Sequence, residues 1–239
     1  MQLEEVSAWC CEWGDVLALV CSGPLCCSAL PEIGQLLILL PVLLFSLTIH
    51  EVAHAVTAEW YGDPTARRLG RISLNPAVHL DWIGTVFLPI LGILGGGIVF
   101  GWAKPVPVNP ANLKNHRRDF LVIAAAGPLS NICLAVAASL LLGALADGPV
   151  VGGGTSVLAT LGFAMLQLNV LLAVFNMLPV APLDGGNVLA GLLPESLAAS
   201  YDRLVRPYGF LILIVLMATG WLSRLVGPPM SLLMGWLLP

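Results

Sequence analysis

Residues Phe45 to Asp63 read FSLTIHEVAHAVTAEWYGD. An apolar run leads straight into three ionisable residues, His50, Glu51 and His54. Residues four apart on a helix share a face, one turn separated, so the two histidines point the same way. That spacing lets two imidazoles hold one zinc ion, with Glu51 between them placed as general base toward an activated water. The bland alternative is a pair of core histidines satisfied by hydrogen bonds. Burying polar groups in lipid is costly, and an ionisable residue there is a functional hypothesis by default.

Composition decides that lipid is the surrounding. Of the 239 residues, 58% are hydrophobic and 10% are charged, where a soluble domain carries roughly 25% charged residues. The mean hydropathy is +0.91. The chain reads as an integral membrane protein of one compact helical bundle. A net charge of -4 and the lack of a basic face exclude nucleic acid as a partner.

A spanning helix needs about 20 mostly apolar residues. Ile33 to Tyr61, Phe120 to Ala146, Val157 to Leu178 and Tyr208 to Val226 qualify. Met230 to Leu238 is too short to cross. The expected fold is an all-α polytopic bundle of about 4–6 transmembrane helices. Trp82 to Phe100 contains Pro89 and the run Gly95-Gly96-Gly97. Arg67, Arg68 and Arg71 precede it, and Lys104, Lys114, Arg117 and Arg118 follow it. Cytoplasmic loops are enriched in Lys and Arg, which favours a re-entrant hairpin over an ordinary span and puts the C-terminal end of the first helix in the cytoplasm. Gly152-Gly153-Gly154 reads as a loop between spans.

Three regions follow: a leader over 1–30, a membrane domain over 31–226 and a short hydrophobic segment over 227–239. The leader holds Cys10, Cys11, Cys21, Cys26 and Cys27. Their spacing fits neither a disulfide framework nor a metal knuckle, and Glu4 and Glu5 stand where a signal peptide would be positive.

Catalytic zinc usually has three protein ligands and one open position. His79, His116, Asp184 and Glu195 are the candidates for the third. His116 sits in the basic loop KNHRRD and Glu195 follows Pro194, both solvated settings. Asp184 lies between prolines and glycines in FNMLPVAPLDGGNVL, where irregular backbone can aim a carboxylate into the bundle. Asp184 is preferred, with His79 the alternative because imidazole suits zinc.

Taken together, TIHEVAHAVTAEWYGD and FNMLPVAPLDGGNVL resemble the site-2 protease family of intramembrane zinc metalloproteases, in its compact bacterial branch without PDZ or CBS domains. The likeness runs from about Ile33 to Gly220 and includes GDPTARRLGRISLNPAVHLDWIGT and FGWAKPVPVNPANLKNHRRD. It implies His50, His54 and Asp184 as ligands of one Zn2+ per chain and Glu51 as catalytic base. Asp184 matches the aspartate of an N-x-x-P-x-x-P-x-D-G pattern that runs through Asn176, Pro179, Pro182 and Gly185. A third motif, Gly127-Pro128-Leu129-Ser130-Asn131, implies that Asn131 supports substrate or oxyanion; its alternative role is a hydrogen bond between helices. Many relatives carry a basic residue where this chain has Asn187. His79 is either a group behind the site or a cap that bonds Asp81.

The resemblance implies hydrolysis of transmembrane protein segments in a bacterial cell membrane, with the active site toward the cytoplasmic side. The stretches RISL (71–74) and Val106–Val108 are β-prone and could accept an unwound substrate strand by β-augmentation. A metal or proton transporter is the alternative function, since it too places His, Glu and Asp in the membrane. It has no need of a Glu fixed between two ligands. An inactive adaptor would have lost a ligand or the base, and a diiron site would need a second E-x-x-H.

Overall fold

The computed structural model describes residues 32–87, 104–146 and 157–238. The leader, the glycine run at 95–97 and the loop at 152–154 lie outside the described residues. Eight α-helices follow in chain order among them: α1 (Glu32–Trp60), α2 (Thr65–Arg68), α3 (His116–Ala146), α4 (Val157–Asn176), α5 (Asp184–Leu192), α6 (Glu195–Leu204), α7 (Gly209–Ala218) and α8 (Trp221–Leu237). No strand occurs among the described residues.

Among the described residues, three helical stretches are each long and apolar enough to cross a membrane: Leu37–Trp60, His116–Leu145 and Val157–Asn176. They are the first three spans expected from sequence. The fourth differs. Tyr208 to Val226 is not one helix, because α7 ends at Ala218 and Gly220 takes a left-handed φ of 72°. Glycine adopts that conformation without steric cost. The chain bends by 83° between Glu195–Ala218 and α8. Met230 to Leu238, set apart in the sequence, falls within and just past the second half of α8.

α3 packs along both α1 and α4, and α8 lies against α4. Ala135 and Ala138 of α3, Leu166 and Val170 of α4, and Leu222, Val226 and Met230 of α8 form the largest apolar core. Small residues at these helix crossings let backbones approach, as helices in lipid require. Leu37, Phe45, Leu129, Leu140 and Trp236 face outward, as a lipid-facing surface would.

The connection from α1 to α3 is irregular. Residues 71–74 and 106–108 pair in no ladder among the described residues. Trp82–Phe87 makes a wide helical turn; 88–103, which would settle the hairpin, lie outside the described residues. Asp63, fully buried, anchors this connection. Its carboxylate accepts from the Thr65 and Asn109 amides and from the Asn112 side chain, at 3.1, 2.6 and 2.7 Å. Burial pushes its pKa up, but these donors and the Thr65 hydroxyl outweigh that and hold it below the usual carboxylate range.

Candidate metal centre

Among the described residues, the ligand atoms of His50, His54 and Asp184 all lie within 4.8 Å of one another. The first two come from consecutive turns of α1. The third comes from the first residue of α5, after the irregular stretch 177–183 that follows α4. Asp184 Oδ2 stands 3.1 Å from His50 Nε2 and 3.4 Å from His54 Nε2.

Asp184 is aimed by packing. Gly185 lies against the loop before it: a Cβ there would come within 2.3 Å of the carbonyl oxygens of Met177 and Leu178. Only glycine permits this approach. At the other end of α5, Arg117 Nε and Nη2 both donate to the Ala190 carbonyl, at 3.1 and 3.0 Å. The departure at Asn187 has a local answer. Arg206 donates to Asn187 Oδ1 at 2.9 Å, so a guanidinium reaches that position from the turn after α6.

The histidine rings are oriented from behind. His54 Nδ1 lies 2.7 Å from the Ile123 carbonyl of α3. A carbonyl only accepts, so Nδ1 donates, and in the neutral ring Nε2 is left with a lone pair. Pro128 of α3 lacks the N–H that would bond the Ala124 carbonyl. His50 Nδ1 lies 2.6 Å from Asn131 Oδ1. Asn131 is fully buried and bonds across helices on both sides, the geometry of its second expected role.

A cation fits here by the chemistry of the donors. The two Nε2 atoms approach to 3.0 Å, and both rings spend their Nδ1 on an acceptor behind them. Two lone pairs facing each other at this distance repel unless a positive charge lies between them. Asp184 Oδ2 is buried with no hydrogen-bond partner. Gly127 completes the cradle: a Cβ there would lie 2.4 Å from His54 Nε2 and 2.6 Å from His50 Nε2. Two imidazoles and a carboxylate are a donor set that zinc accepts.

Glu51, 8% exposed, is held by the backbone. Its Oε2 accepts the Val106 amide at 2.9 Å. This amide was not foreseeable from sequence, because it is brought in from 55 residues away. It also revises the strand-docking expectation. Pro105 and Pro107 have no N–H, and that of Val106 points inward to Glu51. Residues 105–107 therefore offer a substrate strand carbonyls and no free donor.

The other candidates lie apart. His79 is not in the three-ligand group; it is buried, with Nε2 2.9 Å from the Ser73 carbonyl. His116 is exposed and bonds the Pro110 carbonyl. Glu195 is exposed at the start of α6.

The sequence model of Peptidase family M50 matches residues 38–147 and 144–217. The Bacillus subtilis (strain 168) protein YwhC, provisionally named a zinc metalloprotease, is 36% identical over 196 residues, covering 79% of this chain and 84% of that one. Rip2 of Mycolicibacterium smegmatis (strain ATCC 700084 / mc(2)155), named in the same way, is 34% identical over 201 residues, 82% of this chain and 72% of that one. Rip2 of Mycobacterium tuberculosis (strain ATCC 25618 / H37Rv) is 34% identical over 188 residues, 77% and 69%. No solved structure matches the chain.

Proposed function

The chain belongs to peptidase family M50, the site-2 proteases, and from that premise we propose that this membrane zinc metalloprotease hydrolyses peptide bonds within or near transmembrane segments of other membrane proteins. The observation that carries this reading is the convergence of His50, His54 and Asp184 on one point, with Glu51 on the same turn of α1 as His50 and held by the Val106 amide. The domain is 31–226. It crosses a bacterial membrane several times, and the site lies toward the cytoplasmic side.

His50, His54 and Asp184 would hold one zinc ion per chain. Bound there, it would supply a Lewis acid able to lower the pKa of water to about 7 and to polarise a peptide carbonyl. Glu51 takes the proton from the attacking water and passes it to the leaving amine, as base and then acid. The Val106 amide fixes the carboxylate through one oxygen and leaves the other for the proton. The lipid-facing surface of α1, α3 and α4 keeps bulk water away, which strengthens each of these interactions.

The test is cleavage of single-span model substrates by the detergent-purified chain, with zinc counted by elemental analysis. Wild type should cleave with about one zinc bound, and Glu51→Gln should keep the zinc and lose at least about 100-fold in rate, as loss of a general base implies. Wild-type chain without zinc sinks the metal assignment. Equal cleavage by Glu51→Gln removes Glu51 from the chemistry.

A further inference from the structure

The His50 ring is held by a side chain whose own direction needs explaining. An asparagine can offer a neighbour either its oxygen or its NH2 group. Had Asn131 turned its NH2 to His50 Nδ1, that nitrogen would have to accept, the proton would sit on Nε2, and the neutral ring could not ligate from the side that faces Asp184. Something outside the pair fixes the choice.

Asn131 Nδ2 donates to Asn169 Oδ1 of α4 at 2.8 Å. Asn169 Nδ2 donates to the Met165 carbonyl at 2.8 Å and to Ser46 Oγ at 2.9 Å. The Met165 carbonyl can only accept, so the NH2 of Asn169 must face it. Each later assignment follows. Asn169 presents oxygen to Asn131, Asn131 presents oxygen to His50, and His50 carries its proton on Nδ1. Ser46 sits one turn before His50 on α1, so the chain of bonds ties α1, α3 and α4 together and returns to its starting helix. Ser46, Asn131 and Asn169 are fully buried, where solvent cannot supply substitute partners.

We propose that Asn169 is a positioning residue of the metal site: reading polarity from the Met165 carbonyl, it fixes the amide of Asn131 and thereby holds the Nε2 lone pair of His50 toward the metal. The inference rests on the metal-site reading above. Ser46 secures the far end but does not set the polarity, because the Met165 carbonyl does so without it.

Zinc affinity of the detergent-purified full chain, measured by competition with a chromogenic chelator, tests this without any substrate. Partners behind a ligating histidine are worth about 10- to 100-fold in metal affinity. Asn169→Leu should lose that much, and Ser46→Ala roughly threefold or less, since the carbonyl remains. The decisive reading is a cycle with Asn131→Leu. If Asn169 acts through Asn131, the double variant binds zinc no more weakly than Asn131→Leu alone. Losses that simply multiply, or an Asn169→Leu chain with wild-type affinity, overturn the proposal while leaving the metal ligands standing. Wild-type chain that binds no zinc overturns both. Should Asn169→Leu fail to fold, NMR of chelator-treated wild type labelled with heavy nitrogen in histidine decides. His50 should show a proton on Nδ1, whatever Nε2 carries once zinc is removed; a bare Nδ1 refutes the relay.

Discussion

The two halves of the metal centre are built by different physics. His50, Glu51 and His54 stand on one long helix, and the 3.6-residue period alone puts the histidines on one face. Asp184 begins a nine-residue helix whose direction no periodicity dictates. It is aimed by contact: Gly185 against the carbonyls of Met177 and Leu178, Arg117 on the Ala190 carbonyl at the other end. A ligand set by periodicity should keep its place on the helix when neighbouring side chains are disturbed, even where its ring is turned. One set by contact should be lost with its contacts.

Two glycine substitutions sharpen that difference. At Gly185 an added Cβ meets backbone oxygens at 2.3 Å, and backbone cannot step aside as a flexible side chain can. Gly185→Ala should move the start of α5, cost about 3 kcal/mol or more as overpacking at its upper end does, and abolish measurable zinc binding. Thermal unfolding and elemental analysis check both; wild-type zinc content would show that packing does not aim Asp184. At Gly127 the added Cβ first meets the ends of the His50 and His54 rings, side-chain atoms that can shift where backbone cannot. Compared metal-free, Gly127→Ala should therefore keep its unfolding temperature near that of wild type, and it should lose about 100-fold in zinc affinity, at the strong end of what disturbing the groups around a ligand costs. A large drop in stability with intact zinc binding would reverse the comparison.

How much of this was legible in the sequence follows the same division. Three spans and the pair His50–His54 could be read directly, since both depend on local period and hydropathy. Asp184 was favoured over His79 by its irregular surroundings, and the resemblance supported the same choice, but the reason it points inward lies in contacts of Gly185 that no pattern displays. Asn131 carried two expected roles. The interhelical one matches its bonds to His50 and Asn169, which span 81 and 38 residues of sequence. Asn169 and Ser46 gave no signal, being uncharged polar residues scattered in apolar runs and belonging to no motif. The break in the last expected span rests on one glycine at 220, and glycine is common inside membrane helices, so its presence alone did not announce a bend.

The smallest expected effect lies at the far end of α5. Arg117 places two donors on one carbonyl in the last turn of that helix, where a positive charge also complements the helix dipole. Arg117→Met keeps most of the stem and removes the fork. A hydrogen bond from a charged group is worth about 1.5–3 kcal/mol, and half-burial places this one near the lower figure. Part of that loss should appear as a wider swing of α5, and so as a zinc affinity weaker by roughly three- to tenfold. Arg117→Lys should recover the charge but not the fork, and so only part of the affinity. If Arg117→Met binds zinc as wild type does, the glycine contact alone suffices to aim Asp184. The contact-built half of the centre is then anchored at its first turn and indifferent to its last.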